Sequence, residues 1–149
     1  MTQSEAMLAA KEALIALLQS EADLAGVQIA WSHPACNMQR RVVIVGNSRR
    51  VRQEPGPPLG RGSREAYWRL EVVANVLHKG KAEDAAAQAV ELAAAVEKAI
   101  AENTELGIPA TILYAQVTDA DLIESVRDGA REAEIPLDVT IRARLRTGA

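Results

Sequence analysis

The residues with most capacity for chemistry are arginines concentrated in one stretch, NSRRVRQEPGPPLGRGSRE, residues 47–65. This stretch holds five arginines, three prolines and three glycines in a chain whose formal net charge is −3. From Arg40 to Arg69 there are eight arginines and two glutamates, a local balance of +6 that leaves −9 for the remainder. Guanidinium groups bind phosphates and carboxylates. The stretch therefore predicts a contact with nucleic acid, with a phosphorylated ligand or with an acidic protein surface.

The glycines of this stretch, Gly56, Gly60 and Gly62, do not have the spacing of a phosphate-binding loop. Such a loop ends in Gly-Lys-Ser or Gly-Lys-Thr at the start of a helix. Here Gly60-Arg61-Gly62 is followed by a strand pattern instead. No nucleotide site and no cofactor are expected.

His33 and Cys36 lie three residues apart in one predicted loop and raise the possibility of a base beside a thiol nucleophile. A reactive thiol needs a neighbouring positive charge and an orienting group, and no sequence feature marks either one. A single cysteine excludes an intrachain disulfide, and two histidines with one cysteine lack metal-ligand spacing. We expect no catalytic residue and no metal site, and we interpret the chain as a protein that is not an enzyme.

Two alternatives to a protein partner stay open for the arginines: a nucleic acid, and a solvated loop without a role. The arginines suit phosphate binding, but the chain is acidic overall and the stretch contains no stacking aromatic residues. Tyr67 and Trp68 are adjacent, so in a strand they point to opposite faces. Because acidic residues are frequent elsewhere, a second copy of the chain is itself a suitable partner for the arginines.

The first segment of the chain predicts an amphipathic helix. Thr2 and Glu5 have capping-box spacing, and Gly26 is the predicted stop. Apolar residues follow the helical period at Met7, Ala10, Leu14, Leu17 and Leu18.

Strand patterns surround the basic stretch. VQIAW (27–31) is short and alternating, and RVVIVG (41–46) is a β-branched run typical of a strand buried on both faces. After the stretch, one face of a long strand carries Ala66, Trp68, Leu70, Val72, Ala74 and Val76. Residues 47–63 between the two strands are predicted to form a flexible basic loop.

The second half of the chain predicts a helix and two further strands. Residues 81–103 form an alanine-rich helix, and 110–118 a strand. Residues 119–129 fit either a short helix or an irregular turn. Every odd position from Ala133 to Leu145 is apolar, which predicts one long strand with one buried face. Pro136 suggests that this strand lies at an edge or carries a bulge.

These elements predict a single α+β domain over residues 1–149, with a mostly antiparallel sheet and two main helices packed on one face. No apolar run approaches the roughly 20 residues that a membrane span needs. The early charges of the N-terminus are not those of a signal peptide. Eight arginines are the candidate protein-contact residues: Arg49, Arg50, Arg52, Arg61, Arg64, Arg142, Arg144 and Arg146.

Several phrases of the sequence, in this order, carry a resemblance to a known family. GVQIAW follows the first helix, then come RRVVIVG, the basic stretch, REAYWRLEVVANV, TELGIPATI and DGAREAEIPLDVTIRARL. This order resembles the small tail terminator, or tail-completion, proteins of long-tailed bacteriophages and prophages. The segment from His33 to Gln39 has no counterpart in the family pattern.

The resemblance implies a virion structural protein, assembled in the host cytoplasm, that forms a hexameric ring on the finished tail tube. It implies three partners: further copies of the chain, the tube protein and the head–tail connector. Genome DNA would pass through the ring without sequence-specific binding, and no membrane is involved. On this reading, the stretch from Asn47 to Ser63 contacts a neighbouring subunit, the tube or the connector. Head-completion, or neck, proteins are the nearest alternative.

Overall fold

In a computed structural model, which describes residues 1–50 and 63–146, two α-helices pack on a mixed six-stranded sheet. The predicted α+β class is confirmed. The helices are α1 (Gln3–Ser20) and α2 (Ala82–Glu102), with a short 3-10 helix at Ala22–Leu24. The strands are β1 (Gln28–Trp31), β2 (Arg41–Arg50), β3 (Ser63–His78), β4 (Ile112–Ala120), β5 (Ile123–Arg127) and β6 (Ala130–Arg146).

The capping box predicted for α1 is present. The Thr2 hydroxyl accepts a hydrogen bond from Glu5 N at 3.2 Å, and Glu5 Oε2 accepts one from Thr2 N at 2.6 Å. These bonds satisfy amides that have no partner inside the helix. The helix ends at Ser20, earlier than expected, because the 3-10 turn intervenes before Gly26. Gly26 has a φ of +77° and turns the chain into β1.

The sheet has the order β1-β2-β3-β6-β4, with β5 also paired to β6. Within the described residues only β1 and β2 run parallel, and every other pair is antiparallel. The longest pairing joins β3 to β6 without a break, from Ser63 opposite Arg146 to His78 opposite Arg131. The length of β6 is therefore matched by a strand of its own sheet.

Both helices cover one face of the sheet. The main core contains α1 and α2 residues together with alternate residues of β2, β3, β4 and β6. Trp68 is fully buried there, as is each odd-numbered residue from Leu137 to Ala143. The predicted periods of β3 and β6 are thus confirmed. Alanines on the inner face of α2 let the helix lie close to the sheet: Ala85, Ala89, Ala93, Ala95 and Ala99.

The segment between β2 and β3 is shorter than the predicted loop of residues 47–63. β2 continues through Arg50, and β3 begins at Ser63. A shift in register between Val45 and Ser48 lets β2 resume its pairing with β3. Hydrogen bonding to β3 thus extends the strand past Gly46, where composition alone predicted its end. The rest of the predicted loop lies outside the described residues.

Residues 119–129 form neither of the two predicted structures. β4 reaches Ala120, and Ile123–Arg127 form β5, which makes a tight hairpin with β6. Asp128 and Gly129 take positive φ values of 53° and 76° at the turn, as such hairpins require. β5 is exposed along almost its whole length, so no burial pattern marks it in the sequence.

Pro136 lies in an interior strand, and the prediction of an edge or a bulge is wrong. The Pro136 carbonyl accepts a hydrogen bond from Asp121 N at 3.3 Å, so this residue faces the junction between β4 and β5. β4 pairs with β6 up to Leu137, and β5 begins its pairing at Glu134. Proline has no backbone N–H. At Pro136 this donor is not needed, because no residue of β4 or β5 is paired with it.

We predict that Ile141→Ala lowers the free energy of unfolding by about 2–5 kcal/mol, the usual cost of emptying a packed aliphatic site. Ile141 is fully buried between β3 and β4. Chemical denaturation followed by circular dichroism measures the change. Gln116→Ala, an exposed position on β4, serves as the control and is expected to shift stability by less than about 0.5 kcal/mol. Equal effects of the two changes would contradict the packing described.

Candidate interaction surface

The face of the sheet opposite the helices is open over β3, β6 and β4. No described helix packs there, since both helices belong to the core on the other face. Towards β1 the same face carries a small second cluster, in which Met38 and Val73 pack against the buried Ala30, Val42 and Ile44. We call the remaining part the open face; it runs from Glu65 to Glu71 on β3, includes Arg49 on β2, and extends across β6 to β4.

Three of the predicted contact arginines lie on the open face. Arg142 and Arg144 occupy even positions of β6, and Arg49 lies on β2 opposite Arg69. Arg64 is exposed but lies opposite Leu145, on the helix side of the sheet. In the ladder, Arg50 lies opposite Trp68 and Arg146 opposite Ser63. Arg52 and Arg61 lie outside the described residues.

Arg142 lies between two tyrosines that come from the strands on either side of it. Its guanidinium carbon is 5.2 Å from the ring centre of Tyr67 and 5.9 Å from that of Tyr114. The two tyrosine hydroxyls are 3.2 Å apart and share a hydrogen bond. Arg142 Nε is 2.7 Å from Glu65 Oε2, an ion pair whose N–H direction departs from that of a hydrogen bond. Cation–π contacts and this ion pair fix the guanidinium on the face.

The hydroxyl pair changes the acidity of Tyr114. Its hydrogen bond with Tyr67 and its burial raise the pKa of Tyr114 above the ordinary value of 10.0, and the nearby Arg142 opposes this rise. A bond donated by the neutral phenol is lost on ionisation, which accounts for the direction.

Charges of one sign lie directly opposite each other on the open face. Glu71 on β3 lies opposite Asp138 on β6, and Asp138 lies opposite Asp119 on β4. We call these three residues the acidic band. Arg49 and Arg69, opposite each other, belong with Arg142 and Arg144 to the basic band. Directly opposed like charges are destabilising, by a few tenths to about 1 kcal/mol per pair.

The carboxylates of the acidic band have no side-chain partner among the described residues. The carboxylates farther along β6, by contrast, have side-chain partners. Glu132 accepts hydrogen bonds from Arg127 Nε at 2.6 Å and from Asn75 Nδ2 at 3.2 Å. Glu134 receives one from the same Asn75 nitrogen at 2.8 Å. The fold therefore satisfies the acids at one end of β6 and leaves the acidic band unpaired within residues 1–50 and 63–146.

The loop that holds His33 and Cys36 does not bring them into a reactive pair. His33 Nδ1 lies 3.0 Å from the Pro34 carbonyl, and Cys36 Sγ receives a weak contact from Asn37 at 3.7 Å. Cys36 is free and exposed. In the part of the chain that the structure describes, no group of three or more potential metal ligands comes together.

No protein-family model matches the chain, and no curated protein matches its sequence. Neither α1 nor α2 is long and apolar enough to cross a membrane, and these are the α-helices within the described residues.

Sequence reasoning missed six residues of this surface: Tyr67, Tyr114, Arg69, Glu71, Asp119 and Asp138. Strand alternation places Tyr67, Arg69 and Glu71 on one side of β3, which was visible in the sequence. Their partners on β6 and β4 follow only from the register, which a single sequence does not provide.

We predict that Tyr67→Phe moves the pKa of Tyr114 down toward 10.0, because the hydroxyl that raises it is removed. The chain has two tyrosines, so Tyr114 is the sole phenol left in this variant. Titration of tyrosinate absorbance on the folded protein, with circular dichroism to verify the fold, measures the shift. In denaturant the wild type and the variant should titrate alike. A Tyr114 pKa that is unchanged in the folded variant would contradict the described pair.

Proposed function

We propose that this chain is a tail terminator protein of a long-tailed bacteriophage or prophage. It forms a closed ring on the end of the tail tube, stops tube polymerisation and offers the surface that joins the tail to the head connector. It acts by steric capping and charge complementarity, without covalent chemistry.

The observation that carries this proposal is the open face with its opposed like charges. Placing Glu71 opposite Asp138 and Arg49 opposite Arg69 lowers the stability of an isolated domain whose sheet face stays exposed. Counter-charges from another protein remove that cost. The α+β fold, with two helices on one side of a mostly antiparallel sheet, agrees with the fold that the helix and strand patterns of the sequence predict.

Ring assembly follows from contacts between different patches of identical subunits. A head-to-tail contact repeats until the rotation closes, and closure leaves no free patch. A ring at the end of a tube covers the surface to which the next tube subunit would add. Its other side then presents a new surface for the connector, while the opening leaves a path for DNA.

A nucleic-acid-binding module is the second candidate, because four arginines and two tyrosines share one face. Arginines and aromatic rings together bind single strands. However, the acidic band lies in the row next to the arginines and repels phosphates. Binding to DNA that falls steeply with salt would support this candidate, and absence of such binding would favour the terminator. A head-completion protein of the neck remains the nearest structural alternative.

Native mass spectrometry of the purified protein, alone and mixed with tail tubes of its own phage or prophage, tests the proposed function. We expect a closed ring, because heterologous contacts form rings when the rotation closes, and the resemblance implies about six copies. Negative-stain images should show such rings at one end of the tubes. A chain that is monomeric in both settings and leaves tube ends growing would contradict the proposal.

A second prediction concerns Arg49, Arg50 and Arg52. Replacing all three with Ala should keep the fold, because Arg49 is exposed and lies outside the main core and arginine side chains are rarely part of a core. Binding to tubes or rings should weaken by about tenfold or more, as a loss of about 1.4 kcal/mol is a factor of ten. Circular dichroism checks the fold and sedimentation with tubes measures binding.

The matched control for this variant removes three positive charges elsewhere, at Lys79, Lys81 and Lys98, which are all exposed. It should bind tubes as the wild type does. If the two triple variants behave alike, net charge rather than the placement of the arginines determines binding. If the arginine variant unfolds, these residues serve the fold and not docking.

A further inference from the structure

Most of the exposed apolar side chains lie at the two edges of the sheet. Within residues 1–50 and 63–146, seven large apolar residues are exposed, and five of them lie near β1 or β5. Those near β1 are Leu8 and Trp31, and those near β5 are Leu122, Ile123 and Val126. Exposed apolar groups that cluster mark contact sites. The strand order places β1 and β5 at opposite edges, four strand spacings or roughly 19 Å apart.

The patch beside β1 consists of Leu8, Lys11 and Trp31, and we call it the tryptophan edge. The Lys11 ammonium lies 4.3 Å from the centre of the Trp31 ring and donates a hydrogen bond to Ser32 Oγ at 3.2 Å. Trp31 is half exposed, and Leu8 lies one helical turn before Lys11 on α1.

Lys11 is a buried cation without a counter-charge. Its side chain is buried, and no carboxylate pairs with it in the described part of the chain. Burial lowers the pKa of Lys11 below its ordinary value of 10.5, because the ammonium has lost water. A carboxylate supplied by another molecule would offset this loss.

The patch beside β5 is a groove between the β5–β6 hairpin and the start of α2, and we call it the hairpin groove. Ala82 and Ala85 of α2 line it together with Glu124, Val126 and Arg131 of the hairpin. Its volume is about 200 Å³. A cavity of roughly 150 Å³ holds benzene, so the groove has room for an indole ring. Glu124 is exposed and has no side-chain partner among the described residues.

The two patches are complementary in shape and in charge. The tryptophan edge presents an aromatic ring beside a cation, and the hairpin groove presents an apolar recess beside an acid. With Trp31 in the groove, Glu124 would neutralise Lys11, and the guanidinium of Arg131 would stack on the indole. Two copies of the same patch do not fit, because two tryptophan edges set Lys11 against Lys11 and two grooves leave both unfilled.

The position of the helices excludes a pair of copies that makes this contact twice. Both patches lie on the helix side of the sheet, because α1 supplies Lys11 to one and α2 supplies Ala82 and Ala85 to the other. A reciprocal pair would need the helix sides of two copies to face each other. Helices about 10 Å across from each copy would then separate the sheets and keep Trp31 out of the groove. Copies that lie side by side instead use different edges toward two neighbours.

We propose that the subunits of the ring join head to tail through opposite edges of the sheet, with Trp31 of one copy in the hairpin groove of the next and Lys11 beside Glu124. This inference rests on the proposed ring and names the contact that builds it. Each copy keeps one free tryptophan edge and one free groove until the ring closes. The open face takes no part in this contact, so it stays available for the tube or the connector.

One variant for each patch tests this contact. Trp31→Ala removes the ring, and Val126→Arg fills the groove with a bulky cation. Each variant alone should lose rings by at least about tenfold in native mass spectrometry, because a buried tryptophan carries much of the energy of an interface. Circular dichroism verifies the fold. If either variant is unfolded, Leu8→Lys replaces the first and Glu124→Lys the second, with the same expected loss.

An equal mixture of the two variants tests the direction of the contact. The Val126→Arg chain keeps its tryptophan edge and the Trp31→Ala chain keeps its groove, so the two can form one junction and no more. We expect heterodimers and no larger species. A carbodiimide, which joins an amine directly to a carboxylate, should couple Lys11 of the Val126→Arg chain to Glu124 of the other. Isotope labelling of one chain identifies this cross-link as one between chains.

The control is Val90→Arg, which changes an exposed valine on α2 outside both patches and should form rings like the wild type. Rings that persist in Trp31→Ala or in Val126→Arg would overturn the edge contact and leave the ring itself standing. A mixture that gives no heterodimer, or that gives larger species, would overturn it as well. No wild-type ring, free or on tubes, would overturn both this inference and the proposed function.

Discussion

The unbroken pairing of β3 with β6 is the constraint on which the rest of the structure depends. Sixteen cross-strand pairs, from Ser63 with Arg146 to His78 with Arg131, fix which side of each strand every side chain takes. A slip of one residue would turn the core outward. The helices then have one apolar face to cover, and β2, β4 and β5 add to the edges of this ribbon. The charged rows of the other face follow from the same register.

The two faces of the sheet thus carry different kinds of side chain, apolar on one face and charged on the other. On the helix side, Val, Leu, Ile, Ala and one tryptophan fill the core without phenylalanine. Side chains alternate between the two faces along each strand. The same alternation that builds this core therefore places charged residues in rows on the open side. Since burial needs only one face of a sheet, the opposite face is available for contacts that the fold itself does not require. The proposed ring uses that second face.

Much of the fold follows from the sequence because local signals are strong there. Thr2 and Glu5 predicted the start of α1, and the odd positions of β6 predicted its buried face. β5 was missed because both its faces are exposed. The prediction that Pro136 marks an edge or a bulge was wrong because the interior strand β6 accommodates this proline at the gap between β4 and β5. For the candidate surface, the sequence placed Arg142 and Arg144 on one face. It did not predict that Tyr114 lies beside Arg142 or that Asp119 lies opposite Asp138, because only tertiary pairing brings these residues close.

The chain's two tryptophans lie in opposite environments. Trp68 is fully buried under the helices, whereas Trp31, on the edge strand β1, is half exposed with the Lys11 ammonium 4.3 Å from its ring centre. Neither lies on the open face. The intrinsic fluorescence of the protein therefore contains one signal from the core and one from the surface. The core signal changes when the helices leave the sheet and expose Trp68, so it reports unfolding of a subunit.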